Sequence, residues 1–576
     1  MKPRFAALSI AAAGLLLAAA WGARQAAAPP VPAISRYVPA GALLYLQAKD
    51  FSLLLSDWDE SSEKQLWLKS SNYAVFSNSR IFLRLIDAGK EFSTAAGVPA
   101  NSNLLRQVAG TQSALAIYDI GKLEFLYVTR LPSARAMQSA LWQTRSQFET
   151  RSAGNVSFFV RRDPQSGREV AFAVAGDYLL LATREELLAG ALKLIAGEAA
   201  ASIETETWWA QAVAAASLEH GNGDLRMVLN LDKIVPSPYF RSYWVQRNIS
   251  DMKQYSAAVS DLFRDGQEFR EERVLLRKAT DPGRSPAPDG AATQAGSAEV
   301  AGVLRLLPAD TGVYQAKALP SAAECLATLE TKILNTRSDS RGEEKLAPQV
   351  LLTNGETGDK TDLETRIDQS PVAAPTVQSN DGALKNLLGQ NPVKAILQLQ
   401  STATDSNGVF VHIHSAVVLV GETEWDESSV QSAMATFVQP NVTTSQLGFA
   451  WQAKEGYSQF NGLWSLSMAI RGKYLFVSDH APLLSELLGN AGRRTVSAPA
   501  FFAAGFNHRG EENNFENLAT MLDSSAGNTG FSHVPNFFSE TLGSLSSSLH
   551  RLFSEEIVVR EAGDQVQQTV RYAWAR

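Results

Sequence analysis

VPAGALLYLQAK, Val38 to Lys49, returns in the second half of the chain as LPADTGVYQAK, Leu307 to Lys317, with Pro308 and Tyr314 standing where Pro39 and Tyr45 stood. Three further echoes follow in the same order. LLRQVAGTQSALAIY from Leu104 is matched by LKNLLGQNPVKAILQ from Leu384, and AMQSALWQ (Ala136 to Gln143) by SVQSAMAT (Ser429 to Thr436). GDYLLLATREELLAGAL, Gly176 to Leu192, is matched by GKYLFVSDHAPLLSELL, Gly472 to Leu488, which keeps the glycine, the aromatic, the apolar run, the polar turn and the Leu-Leu pair. A period of about 270 to 300 residues is that of a duplicated domain, since solenoids and propellers repeat every 20 to 50 or so. The expected architecture is therefore two tandem related domains.

Runs bounded by turn residues set the fold class. Ala42 to Ala48, Ser113 to Tyr118, Leu123 to Thr129, Val156 to Arg161, Glu169 to Ala175 and Tyr178 to Ala182 read as strands, separated by Asp119, Gly121 and Gly176-Asp177. Helices interrupt them at a few points. Leu53, Leu54, Trp58, Leu66 and Trp67 belong to a helical region, and Ser133 is expected to cap a helix carrying Met137, Leu141 and Trp142. Thr183 with Glu186 fits a capping box for the helix carrying Leu187, Leu188, Ala191 and Leu192. Met227 to Leu231, a helix near Tyr255 to Phe263 and a strand near Glu272 to Arg277 close the first half. Hairpin-like succession predicts an α+β fold, each domain a mostly antiparallel sheet with helices packed on one face.

The expected boundaries follow from composition. Residues 1–28 form a signal peptide or N-terminal membrane anchor: Lys2 and Arg4 precede the uncharged run Phe5 to Ala20, and Ala18-Ala19-Ala20 offers a cleavage site. Either outcome puts the bulk of the chain outside the inner membrane, periplasmic or anchored facing the periplasm. The first repeat unit spans 29–278. ATDPGRSPAPDGAATQAGSA contains no large apolar residue, so 279–298 reads as a flexible linker. The second repeat unit spans 299–576 with a polar insertion at 336–382, and the alternation after Val558 reads as an edge strand or a final hairpin.

With 576 residues, 45% hydrophobic and 19% charged, the chain is globular. A formal charge of −7 spread through both halves argues against nucleic acid, which needs a concentrated basic surface. The single cysteine, Cys325, permits no internal disulfide and lies at helical spacing with Ala323, Leu326, Leu329 and Ile333, the pattern of a buried structural thiol. His412 and His414 alternate on a strand and could share a divalent ion; the structural reading has them facing solvent with Val411 and Ile413 inward. Ser61 to Lys64 matches Ser-x-x-Lys by spacing alone, and Gly355 to Thr361 imitates a phosphate loop without its Gly-Lys-Thr ending. No catalytic, cofactor-binding or metal residue is assigned, and no cofactor is expected.

The segment from Leu229 to Asn248 supplies the candidate contact site: Tyr239, Phe240, Arg241, Tyr243 and Trp244 interleave aromatics with arginine, suited to stacking on a sugar ring, a peptide or a partner. Its structural reading is a Pro-rich connection packed on the sheet. The Pro-Ala-Gly-Ala-Leu-Leu-Tyr opening, its Pro-Ala-Asp echo, the Gly-Asp-Tyr-Leu-Leu-Leu-Ala-Thr hairpin and the Tyr-Phe-Arg-Ser-Tyr-Trp segment resemble an uncharacterised family of bacterial exported proteins, a domain of unknown function present here in two tandem copies. The resemblance implies an envelope location and transfers no reaction. The functional expectation is a non-catalytic cell-envelope protein acting in binding or scaffolding, with an envelope protein or glycan as partner and the inner membrane reached through an uncleaved leader. The alternative is an extracytoplasmic hydrolase with its site between the domains.

Overall fold

Gly176 and Gly472 take left-handed φ angles of 58° and 57°, which glycine adopts without a Cβ penalty and which a two-residue hairpin turn requires. Each turn joins a pair of apolar strands in antiparallel register. The computed structural model describes residues 33–69, 73, 76–216, 223–239, 252–265, 268–278, 290–309, 311–333, 382–404, 411–442, 450–460, 466–490, 500–511 and 552–574. Contacts divide the chain into two units, one formed by Met1–Leu55 with Leu85–Gln211 and the other by Ser56–Arg84 with Ala212–Arg576. The leader at 1–28 and nearly all of the insertion at 336–382 lie outside the described residues.

The first unit contains β1 (Leu44–Ala48), β2 (Ser113–Asp119), β3 (Glu124–Arg130), β4 (Glu149–Ala153), β5 (Val156–Arg162), β6 (Glu169–Ala175) and β7 (Tyr178–Ala182). Their order across the sheet is β1-β2-β3-β7-β6-β5-β4. Val170, Phe172, Leu179 and Leu181 point to one face, where Phe92, Ala95 and Ala96 of the helix Arg80–Ala96 and Leu104 and Val108 of the helix Ser102–Val108 cover them. The alternate residues Ala171, Ala173 and Leu180 are equally buried, and the helix Glu185–Ile195 packs on β6 and β7 through Leu187, Leu188, Ala191 and Leu192.

The second unit contains β8 (Leu225–Asn230), β9 (Tyr255–Asp265), β10 (Glu268–Arg277), β11 (Val313–Ala318), β12 (Val393–Thr404), β13 (Val411–Gly421), β14 (Trp451–Lys454), β15 (Tyr457–Phe460), β16 (Leu466–Arg471), β17 (Tyr474–Ser478), β18 (Phe502–Phe506), β19 (Leu552–Ala562) and β20 (Gln565–Trp574). One stretch of its sheet runs β11-β12-β13-β17-β16-β15-β14, the strand order of the first unit. On the other side of β11 follow β18, β19, β20, β10, β9 and β8. Thus β10, expected to close the first repeat, hydrogen-bonds β20, and the final hairpin β19–β20 is interior to the sheet instead of at its edge.

The α+β class holds, with large antiparallel sheets and packed helices. Helices on one face do not. In β13, Ala416, Val418 and Val420 meet the helices Gly290–Leu304 and Ala481–Gly489, while Val417 and Leu419 meet Ala322–Lys332, Gly382–Gln390 and Glu427–Val442. The run AVVLV is apolar at every position, the pattern of a strand covered on both sides, and each large side chain so buried contributes roughly 1.5–3 kcal/mol.

Four local expectations are overturned. Residues 290–298, expected in the linker, open the helix Gly290–Leu304, in which Ser297 is buried. Small residues there allow close approach: a Cβ on Gly296 would stand 3.1 Å from the Ala318 methyl. The helix expected near Tyr255 to Phe263 is the strand β9, paired on both sides by β8 and β10, because long-range pairing outweighs the weak helical preference of its alanines. Thr183 caps no helix; its hydroxyl accepts from the Phe125 N–H at 2.8 Å, and a Glu169 carboxylate oxygen accepts the Glu185 N–H instead. The helix expected from Ser133 is two short turns, Ser133–Ala136 and Ala140–Gln143, the second capped by Ser139, which accepts from the Trp142 N–H.

Candidate contact surface

Of the aromatic segment singled out from sequence, Tyr239 is described and is 51% exposed; Phe240, Arg241, Tyr243 and Trp244 lie outside the described residues. A different surface emerges between β1 and β2. Among the described residues, nine of the fourteen large hydrophobic side chains left exposed fall between Leu53 and Ile86, so exposure is concentrated in one stretch of chain.

The part belonging to the second unit, 56–84, is built from short helical pieces. Ser61 ends one and starts the next: its hydroxyl donates to the Trp58 carbonyl at 2.8 Å and accepts the Lys64 N–H at 3.2 Å, opening the helix Ser62–Lys69. Ser79 opens the helix Arg80–Ala96 by accepting the Phe82 N–H at 3.3 Å. Between them the rings gather. Trp67 lies 6.1 Å from Tyr73 and 6.1 Å from Phe76, and Phe82 lies 6.3 Å from Tyr73 and 5.2 Å from Phe76. The ring cluster is half open, with Trp67 and Phe76 38% and 37% exposed, and Trp58, Leu68, Ile81 and Leu83 in the same stretch of chain are likewise 37–50% exposed. Scattered exposed apolar residues are ordinary, whereas their concentration in one stretch around a ring cluster makes this stretch a candidate contact surface. Lys64, Lys69, Arg80 and Arg84 lie in this stretch, and no acidic residue stands between Lys64 and Arg84. Asp57 is held by Arg264 at 2.7 Å and Asp59 by Lys64. The sequence carried a signal for this surface in its acid-free apolar run, but the apolar spacing alone also fits a core helix.

The histidines form a second cluster. His412 and His414 share one face of β13 with ring centroids 6.2 Å apart, and His480, at the N-terminus of the helix Ala481–Gly489, stacks on His414 at 3.7 Å and 15°. Ile413, expected inward, is 59% exposed, since the tip of β13 is paired only with β12 there. Stacked rings hold their nitrogens in parallel planes and do not converge on an ion; among the described residues no group of three His, Cys, Asp or Glu is placed to hold one. Burial, then the neighbouring imidazole, lowers the proton affinity of both His414 and His480, while Asp479 and Glu486 partly oppose this at His480. The Asp479 carboxylate is itself pushed up by burial and accepts the Ser415 N–H at 2.8 Å.

A pH dependence follows. A histidine whose folded proton affinity lies below the unfolded value of about 6.5 contributes fully above that pH and loses its contribution as pH falls through the folded value. The second unit is expected to lose thermal stability on acidification from about pH 7 to about pH 5, and a His414→Gln/His480→Gln variant to lose less. Melting temperatures of both proteins across that range test this; parallel curves would remove the histidines from the account.

The remaining candidates are structural in their surroundings. Cys325 is fully buried, and burial pushes its thiol up to about 12, far from a reactive thiolate. The amine of Lys64 is engaged by Asp59 and does not serve Ser61 as a base. Gly355 to Thr361 lies outside the described residues.

No protein-family model matches the chain, and no curated protein matches it. Among solved structures it is similar to crystal form I of TP0453, at 10% identity and a TM-score of 0.24 over 44% of this chain and 81% of that one. Crystal form IV of TP0453 gives 11% identity and 0.20 over 42% and 79%, and form III gives 10% and 0.18 over 46% and 77%. Likeness at this level transfers nothing to the fold or function of the present chain.

Proposed function

We propose that this chain is an exported cell-envelope protein of two tandem related domains, non-catalytic, acting in binding or scaffolding through the exposed helical segment between β1 and β2. The observation that carries this reading is the half-open ring cluster holding Trp67 and Phe76, in a stretch that also exposes Trp58, Leu68, Ile81 and Leu83. The shared order β1-β2-β3-β7-β6-β5-β4 and β11-β12-β13-β17-β16-β15-β14 supports the duplication, and the basic, then apolar N-terminal run supports export. The matched landmarks are Pro, Gly, Tyr and Leu, residues of folding and turn geometry, which favours a scaffold over a duplicated catalyst.

The test is photocrosslinking in cells with a photoreactive residue placed at Leu68 or Leu83. Both positions are expected to yield discrete adducts with an envelope component, and the exposed Gln165, on a turn of the first unit, to yield none. Absence of adducts at both positions, or the same adducts at Gln165, would reject this surface as the point of contact.

A further inference from the structure

We infer that the stack of His414 on His480 is an acid-released latch: with both rings neutral it holds the start of the helix Ala481–Gly489 against β13, and protonation lets that helix leave the sheet while the strands beneath stay paired. This goes beyond the contact reading above and does not depend on it.

The corresponding place in the first unit shows what the stack replaces. Ala182 pairs with Leu126 where β7 meets β3, and Ser478 pairs with Ala416 where β17 meets β13. One residue further along, the Phe125 N–H donates to Thr183 Oγ1 at 2.8 Å and the Ser415 N–H donates to Asp479 Oδ1 at 2.8 Å. The returning bonds, from the Thr183 N–H to the Phe125 carbonyl and from the Asp479 N–H to the Ser415 carbonyl, are 3.0 and 3.2 Å. The two clasps share one pattern. At the next position the units part: Arg184 meets Glu124 in an ion pair at 3.1 Å, whereas His480 meets His414 in a stack at 3.7 Å. Arg184 and His480 are the N-cap residues of Glu185–Ile195 and Ala481–Gly489, the helices that follow.

A cation at a helix N-terminus faces the positive end of the helix dipole. At Arg184 this is offset by Glu124 and by Glu186 at 3.3 Å, with Glu185 also in the first turn. At His480 the first turn holds no acid. The titratable groups acting on the two rings are His412, 6.2 Å from His414 on β13, and Asp479 and Glu486 beside His480. Across β12, Ser401 and Ala403 stand opposite His414 and His412 and carry no charge. A proton on His480 therefore opposes the dipole, and a second proton on His414 sets two cations face to face. Burial favours the neutral rings as well, so acid favours release. Histidine is the side chain whose ordinary titration falls between about pH 5 and 8, and the first unit has none at this place.

The helix is suited to leaving alone. It has 9 residues, and so short a helix depends on docking. Its Leu483, Leu484 and Leu487 are buried with Val418 and Phe476. Its first turn closes on the latch, the Leu484 N–H donating to the His480 carbonyl at 3.1 Å and the His480 N–H to Ser478 Oγ at 3.1 Å. Beneath it, Ala416 to Val420 are paired on both sides, by β12 and β17, a support that the helix lacks.

Hydrogen–deuterium exchange of the full chain, read peptide by peptide at about pH 7 and about pH 5 after correction for the intrinsic exchange rate, tests this. Amides of Ala481–Gly489 are expected to lose protection by about tenfold or more on acidification, while Ala416 to Val420 and Glu185–Ile195 keep theirs. His414→Gln/His480→Gln should exchange alike at the two pH values. His414→Glu/His480→Arg, which moves the ion pair of the first unit into the second, should keep the helix protected in acid; if that variant folds poorly at neutral pH, the glutamine variant decides alone. A helix that stays protected in acid overturns the inference, as does an acid loss that persists in the glutamine variant. Simultaneous loss across Ala481–Gly489 and Ala416 to Val420 overturns it too, since the histidines would then act on the unit as a whole.

Discussion

Asp261→Ala should lower the stability of the second unit by about 3–5 kcal/mol, because it strands a buried guanidinium. Arg226 on β8 and Asp261 on β9 are cross-strand partners in register, with Nε to Oδ1 and Nη2 to Oδ2 both at 2.7 Å. They are 5% and 3% exposed, and the Gly223 N–H also donates to Oδ1 at 3.2 Å. A bidentate pair withdrawn from water in this way owes its net contribution to both members being present. Replacing both together, as in Arg226→Met/Asp261→Leu, should therefore cost far less than the single change and can come out near neutral. Urea denaturation of the three proteins measures both claims. If the double replacement costs as much as the single one, the pair is itself stabilising; if the single change costs under about 1 kcal/mol, the guanidinium finds water on losing its partner.

Phe172→Ala should cost about 3–5 kcal/mol in the first unit. Phe172 is fully buried on β6, with the ring of Phe148 at 5.0 Å, Phe159 at 5.4 Å and Trp142 at 6.3 Å. Removing it leaves a cavity walled by three rings whose own rotamers are fixed by mutual packing, so relaxation into the gap is limited. Phe172→Leu keeps most of the volume and should cost appreciably less, about 1–2 kcal/mol. Thermal unfolding followed through tryptophan emission reads both, since Trp142 reports on the site. Equal losses for the two variants would mean that the site's stability depends on ring geometry and not on filled volume.

The sequence announced most clearly what local chemistry alone can demand. Gly176 and Gly472 were visible as turn residues because a left-handed φ excludes most other side chains, and Tyr45 and Tyr314, buried on β1 and β11, marked corresponding strands in both halves. Several strands of the first unit were legible almost to the residue, because their alternation is bounded by Asp and Gly. What was not legible depends on neighbours. Tyr255–Asp265 contains Ala257, Ala258, Val259, Leu262 and Phe263, which suits a helix as well as a strand until β8 and β10 lie on either side. Residues 290–298 look unable to join a core because they are small, yet smallness is what lets that helix approach β11. Ser321 and Glu324 form a complete capping box at the start of Ala322–Lys332, whereas Thr183 and Glu186, with the same spacing, do not. The contact surface was hidden for a similar reason: the spacing of Trp58, Leu66 and Trp67 shows an apolar helical region, and only the packed structure shows that Trp58 and Trp67 remain open.

The pairing of β10 with β20 has a consequence in time. Arg273 and Gln568, joined by a side-chain hydrogen bond across these strands, are 295 residues apart, so a ribosome adding roughly 5–20 residues per second needs about 15–60 s to supply the second partner after the first. Throughout that interval one side of β10 is an unpaired edge able to template pairing with another nascent chain. Contacts of such sequence separation also close slowly, since the intervening chain must surrender its entropy before the strand reward arrives. The second unit therefore completes its sheet only once the hairpin β19–β20 has been made, and its vulnerability to misassembly is greatest while it waits for that hairpin.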